Sequence, residues 1–248
     1  MAQNDLTQGS IIGNISRFSL PYMLSYFLQI LYGLADMFVI GQFCGVDSTT
    51  AVANGAQIMH MFTAIIIGLA MGTTVRLGRA IGAKDKNEAS KTIGNTFSLF
   101  AFTAVVATFI LLLASRSIVS MIDTPAEAVK GTIDYLRICF IGIPFIIAYN
   151  IIASIFRGLG DSKSPMYFVI VACVANIALD YIFIGHLGLG PSGAALGTTL
   201  SQMISVIIAA IVIRKKSLLN ISGKDLRPER RTMGGILKIG VPVALQDG

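Results

Sequence analysis

Long apolar runs separated by short polar segments dominate the chain. Six of the runs have about 20 residues or more, enough for a helix rising 1.5 Å per residue to cross a hydrocarbon core of about 30 Å. The predicted spans are 18–40, 51–75, 92–114, 133–156, 166–185 and 194–213. Ten-residue segments of alternating polarity, as in membrane β-strands, do not occur. The pattern predicts an all-α, polytopic membrane protein with a six-helix lobe.

Composition supports this class and narrows the chemistry. Hydrophobic residues make up 54% of the chain and charged residues 13%, against about 25% charged in soluble domains. Cys44, Cys139 and Cys173 are isolated and suggest neither disulfides nor a metal site. The ATPase, zinc-hydrolase and serine-hydrolase signatures are missing from the sequence. We therefore expect a protein that is not an enzyme and needs no cofactor.

Basic residues predict the orientation. With the N-terminus inside the cell, 16 of the 19 Lys and Arg residues fall in cytoplasmic segments, and only Arg116, Lys130 and Arg137 fall outside. Because cytoplasmic loops are enriched in Lys and Arg, we predict a multi-pass protein of the plasma (inner) membrane with a cytoplasmic N-terminus. The net charge of +6 follows from this topology, so no nucleic-acid partner is expected.

Two carboxylates lie inside predicted spans. Asp36 is in the first and Asp180 in the fifth, where Asn176 precedes it by one helical turn. An aspartate in the hydrocarbon region costs roughly 2.5 to 3.5 kcal/mol, and such residues usually have a function. Counting along the helices places both carboxylates, with Thr198 of the sixth span, in the outer half of the membrane.

The residue types at this depth allow two chemistries. A carboxyl group in a low-dielectric cavity can take up a proton, and carboxylate, amide and hydroxyl oxygens together suit a hard cation. A structural role, in which neighbouring amides and hydroxyls hold the carboxyl groups, is the alternative. The spacing does not decide whether the helices bring these groups together.

The end of the chain resembles its beginning. Ile15–Leu24 aligns without gaps to Ile236–Leu245, with Pro21 opposite Pro242. Six spans, a basic linker and a restart of the first span are typical of transporters built from two parallel repeats. We expect residues 1–213 to form a transmembrane lobe, 214–234 a cytoplasmic linker, and 235–248 the start of a second lobe. The missing C-terminal lobe would be its partner.

The GLGD sequence ending at Asp161 raises the alternative of an intramembrane aspartyl protease. Such enzymes need two aspartates sharing a proton within the membrane. Here Asp161 falls in a cytoplasmic loop next to Lys163, far in depth from Asp36 and Asp180. The protease interpretation therefore fails on depth.

Several segments, spread over nearly the whole chain, resemble one transporter family. They are Ser19–Gly41, Gly72–Ala89, Phe156–Met166, Asn176–Ile184 and Gly193–Gln202. In this order they resemble the N-terminal lobe of a multidrug and toxic compound extrusion (MATE) transporter. The resemblance implies two six-helix lobes around a cavity, and export of small cationic, amphipathic drugs or toxins in exchange for Na⁺ or H⁺.

The resemblance also implies roles for individual residues. Asp36 and Asp180 match the family's acidic groups, and Asn176 and Thr198 match the neighbours of its cation site. Asn150 matches a cavity amide, and Pro21 matches the proline where the first helix bends. A Na⁺ site would use Asp36, Asn176, Asp180 and Thr198. Two alternatives are a lipid-linked-sugar flippase of the same superfamily, which would line its cavity with basic residues, and a fragment without activity of its own.

Overall fold

The computed structural model describes residues 9–216 and 223–247, and this part of the chain is almost entirely helical. The helices are α1 (Ile11–Phe43), α2 (Val46–Gly82), α3 (Lys86–Met121), α4 (Ala126–Ile141), α5 (Ile143–Gly158), α6 (Lys163–Asp180), α7 (Gly190–Lys216) and α8 (Arg230–Asp247), with a π-helical segment, Tyr181–His186, between α6 and α7.

Five helical segments are long and apolar enough to cross a membrane, and α4 and α5 together supply a sixth. The predicted all-α six-span lobe is therefore confirmed. The helices extend beyond the apolar runs, as when α1 begins at Ile11 and α2 continues to Gly82. Side-chain caps explain some of these ends: Ser10 accepts a hydrogen bond from the Gly13 amide, which fixes the start of α1.

The fourth span differs from the predicted single helix. It is broken at Gly142, where α4 and α5 meet at a bend of 52°. Pro144 is in the first turn of α5, where its missing N–H is tolerated although the same residue would interrupt a continuous helix. A Cβ atom on Gly142 would also overlap the Thr199 side chain. The bend therefore lets α7 approach this span closely.

The core of the lobe lies around α2 and α5. Leu77 of α2 and Ile147 and Ile155 of α5 are almost inaccessible to solvent. On α3 the situation is reversed, since Phe102, Val105 and other large apolar side chains of its membrane-length segment are exposed. Burial of one stripe and exposure of apolar residues elsewhere is the pattern of a helix at the lipid boundary.

Helix α8 packs closely along α2. A Cβ atom on Gly72 would overlap the carbonyl oxygen of Ile236, and one on Gly240 would overlap that of Leu69. Small residues at such crossings let helix backbones come together in membranes. The start of the predicted second lobe is thus in direct backbone contact with the first.

The segment before α8 is held on α3 by polar contacts. The Asn95 amide group accepts a hydrogen bond from the Glu229 backbone N–H at 2.7 Å and donates one to the Asp225 carbonyl at 3.3 Å. Lys91 forms an ion pair with the Glu229 carboxylate. Helical structure enters both ends of the predicted linker, because α7 runs to Lys216 and α8 begins at Arg230. The division 1–213, 214–234 and 235–248 stays a prediction.

We expect Gly72→Ala to destabilise the protein, because the new methyl group would push α8 away from α2. Overpacking of this kind costs about 1 to 3 kcal/mol. Gly78→Ala on the same helix is the matched control, since its Cβ would meet only the Gly158 carbonyl at an ordinary 3.7 Å. Thermal unfolding in detergent should show a lower midpoint for Gly72→Ala alone; equal midpoints would contradict the close packing.

Candidate functional site

The structure brings Asp36 and Asp180 together. Asp36 lies in the last third of α1 and is 6% exposed, whereas Asp180 is the last residue of α6 and is fully buried. The two side chains are neighbours, and Asn176 of α6 lies next to Asp36 as well. Three of the residues predicted from depth alone therefore share one buried site.

Helix α7 completes the site with two consecutive residues. The Thr198 hydroxyl donates a hydrogen bond to Oδ2 of Asp36 at 3.3 Å. Gly197 faces the other carboxylate, and a Cβ atom there would overlap Oδ1 of Asp180 and lie 3.6 Å from Nδ2 of Asn176. The absence of a side chain at position 197 therefore makes the space that Asp180 occupies.

Most polar atoms of the site make no hydrogen bond to another described residue. Among the described residues, no hydrogen bond reaches Oδ1 of Asp36, either carboxylate oxygen of Asp180, or either polar atom of the Asn176 amide. An unsatisfied buried polar group costs about 1 to 3 kcal/mol, and more when it is charged. The site thus concentrates oxygen atoms whose bonding capacity the chain itself leaves unused.

The two carboxylates also repel each other when both are charged. Two like charges 4 Å apart repel by about 4 kcal/mol at an effective dielectric constant of 20. One hydrogen bond to a charged group returns only about 1.5 to 3 kcal/mol, so the Thr198 contact alone does not offset this repulsion. A proton or a cation would offset it. Two carboxylates, an amide and a hydroxyl provide the hard oxygen ligands that Na⁺ prefers.

The backbone changes where α6 reaches Asp180. The chain continues as π-helix through Tyr181–His186, with the Leu187 amide donating to the Ile182 carbonyl five residues back. Single π-helical turns are rare and frequently occur at functional sites. The following turn uses Gly188 and Gly190 at φ values of +63° and +54°, which glycine adopts without strain.

Two predicted site residues lie elsewhere. Asn150 is buried on α5, where its amide nitrogen donates to the Ile146 carbonyl of its own helix at 2.8 Å. Pro21 lies inside α1, and the Ser25 hydroxyl donates to its carbonyl at 2.8 Å. Neither contact joins these residues to Asp36 or Asp180, so their predicted roles as cavity amide and bend proline stay predictions.

Sequence reasoning missed three neighbours of the site. Tyr32 lies one turn before Asp36 on α1 and contacts Gln202, which lies one turn after Thr198 on α7. Gly197 is the third. The spacing of four residues could have found Tyr32 and Gln202, because such residues share a helix face. Nothing in one sequence could have indicated the close approach at Gly197.

The loop that contains Asp161 has a structural role. Oδ1 of Asp161 accepts hydrogen bonds from the backbone amides of Lys163 and Ser164, both at 3.0 Å, and Oδ2 accepts one from the Ser164 hydroxyl. These contacts stabilise the beginning of α6 in the manner of an N-terminal cap. The GLGD sequence is therefore accounted for by local structure.

The fold is that of a multi-pass helical membrane protein. Residues 21–182 match the family model MatE, and the chain belongs to this family.

The relatives are bacterial proteins about twice as long. The chain is 28% identical over 95% of its length to "Probable multidrug resistance protein YoeA" and 32% identical over 99% to "Probable multidrug resistance protein YpnP", both of Bacillus subtilis. It is 29% identical over 96% to "Multidrug export protein MepA" of Staphylococcus haemolyticus. It covers 53%, 55% and 53% of these proteins, and so spans about half their length.

Solved structures show the same relation. A structure described as "Outward-facing conformation of a multidrug resistance MATE family transporter of the MOP superfamily" matches all of this chain with a TM-score of 0.92 and 30% identity. "Crystal structure of MATE in the bent conformation" matches 99% of it with a TM-score of 0.91 and 31% identity. In both cases the chain covers 55% of the solved protein. The described fold is therefore a half-length MATE lobe.

We expect Gly197→Ala to separate α6 from α7, because its methyl group would occupy the position of Asp180 Oδ1. The resulting strain should lower stability by about 1 to 3 kcal/mol. Gly33→Ala in the middle of α1 is the control, since nothing lies within 4 Å of its Cβ position. Thermal unfolding that is unchanged by Gly197→Ala would contradict the close approach of α7 to Asp180 at this position.

Proposed function

We propose that the chain is the N-terminal lobe of a secondary antiporter that exports cationic, amphipathic compounds in exchange for Na⁺ or H⁺. The observation that carries the proposal is the buried pair Asp36 and Asp180, whose carboxylate oxygens are largely without partners among the described residues. The names of the relatives, multidrug resistance and multidrug export proteins, support the same activity.

The coupling site would work through its charge. With a proton or Na⁺ bound, the repulsion between Asp36 and Asp180 is offset and α1, α6 and α7 stay together. When the ion leaves, two carboxylates remain in a low-dielectric site, and the contacts between these helices weaken. A cationic substrate in the transporter cavity would be favoured by the charged state and released when the ion returns. Exchange of cation for cation follows from this competition.

The acidic side chains of the site also favour cationic compounds as substrates over the lipid-linked sugars of the flippase alternative. A pyrophosphate group needs basic residues in the cavity, whereas the paired buried charges here are carboxylates on α1 and α6. Arg137, the basic residue nearest a predicted span interior, is exposed on α4. The charge of the site therefore selects cationic substrates.

The proposed transporter also requires a second lobe. Large apolar side chains of α1, including Leu20, Phe27, Leu31 and Phe38, are exposed in this lobe. Alternating access requires one lobe to move against another, so the 248 residues by themselves would provide the ion site and half of the cavity. The partner is the C-terminal lobe of the same protein, which α8 would begin.

Asp180→Asn should abolish gradient-driven export of a cationic dye from proteoliposomes containing the full-length protein, because an amide can neither take up a proton nor provide a charged ligand. Asp123→Asn is the control: Asp123 is exposed, and its φ of +48° suits asparagine equally well. Dye efflux would be followed by fluorescence. Export by Asp180→Asn at the wild-type rate would remove this residue from the mechanism.

The coupling ion can be identified with the wild-type protein in the same vesicles. We expect efflux with either a Na⁺ gradient at equal pH or a pH gradient without Na⁺. The gradient that drives efflux identifies the coupling ion. Asp36→Asn should lose efflux under the same condition as Asp180→Asn, since both residues would serve one site. If neither gradient drives efflux, antiport with Na⁺ or H⁺ is contradicted.

A further inference from the structure

A basic pocket lies on the other side of the lobe from the cytoplasmic loops. Arg116 near the end of α3 and Lys130 and Arg137 of α4 line one surface pocket of about 330 Å³, together with Asp134. In the predicted orientation these three are the chain's extracytoplasmic Lys and Arg residues, the other 16 being cytoplasmic. The sequence thus places few positive charges outside, and the fold brings all of them to one site.

The charges of this pocket are not balanced from within. The ion pairs Arg76–Glu88 and Lys91–Glu229 lie on the side that is predicted to be cytoplasmic, and no described residue forms an ion pair with Arg116, Lys130 or Arg137. Asp134 therefore lines the pocket without holding any of its three cations in an ion pair. A net charge of about two positive units in one pocket attracts anions, and a phosphate group matches the donors of arginine and lysine.

The helix faces that carry these charges continue into the membrane. On α3, Phe109 and Leu113 lie at helical spacing from Arg116 and are 66% and 72% exposed. On α4, Ile141 lies one turn beyond Arg137 and is 61% exposed. Each helix therefore presents a basic group at the interface and bare apolar side chains on the adjoining lipid-facing surface.

From this arrangement we infer that the pocket binds the phosphate group of an anionic phospholipid from the outer leaflet. Arg116, Lys130 and Arg137 would surround the phosphate, and the acyl chains would lie along Leu113 and Ile141. A free phosphate ion shares the charge chemistry but would leave the apolar part of the surface unused. The combination of charge and adjoining apolar surface assigns the site to a lipid.

Native mass spectrometry of the protein purified in detergent would test this. After incubation with equal amounts of phosphatidylglycerol and phosphatidylcholine of the same acyl chains, we expect phosphatidylglycerol to be retained preferentially. Since each basic group beside an anionic headgroup contributes roughly fivefold in affinity, the variant R116Q/K130Q/R137Q should bind it roughly a hundredfold more weakly. Lys130→Gln alone should give a smaller loss and serves if the triple variant does not fold.

The control variant R17Q/R79Q/K86Q removes the same number of arginines and lysines from exposed cytoplasmic positions and should keep the preference. Equal loss in both triple variants, or retention in R116Q/K130Q/R137Q, would overturn the assignment. A third arm adds millimolar inorganic phosphate. If phosphate displaces phosphatidylglycerol completely at that concentration, the pocket takes a free anion and the lipid assignment is wrong.

Discussion

The burial of two carboxyl groups between three helices is the constraint on which the site depends. Asp36 and Asp180 come from α1 and α6, and α7 faces both through Thr198 and Gly197. A hydrophobic lobe of this size could be packed without any of these polar groups. Retaining them costs several kcal/mol in unsatisfied atoms and mutual repulsion. In the proposed mechanism a proton or a cation would offset that cost, and the stability of the helix contacts would then depend on ion occupancy.

Two glycines and a π-helical segment shape the surroundings of the polar groups. Gly197 of α7 leaves room for Asp180 of α6. Gly142, between α4 and α5, leaves room for Thr199 of α7. The α-helix ends at Asp180 and gives way to π-helix, which changes the direction of the following side chains. Gly197 is part of α7, Gly142 faces α7, and the π-helical segment joins α6 to α7, so all three features involve α7.

Much of this could be predicted from the sequence, for physical reasons. Membrane spans are long and uniformly apolar, and helical rise converts residue number into depth, so Asp36, Asn176, Asp180 and Thr198 could be assigned to one layer. The depth of a residue in the membrane does not tell which way its side chain points around the helix. The resemblance places Asn150 in the cavity; its amide nitrogen bonds to its own helix, and the cavity role stays a prediction. The bend at Gly142 has a local signal in Pro144, which the predicted single span did not use. The π-helical turn and the gap at Gly197 depend on contacts between distant segments, which local pattern cannot encode.

The two helices with a proline in their interior, α1 and α8, differ in their contacts with the rest of the lobe. Helix α8 is joined to α2 by backbone contacts at glycines, and the segment before it is fastened to α3 through Asn95. Helix α1 lacks such backbone contacts at its own glycines, since Gly33 and Gly41 have nothing within 4 Å of their Cβ positions. It also contains Pro21, which removes a hydrogen bond from the helix interior. In the proposed mechanism, α1 is therefore the element that responds when the charge beside Asp36 changes.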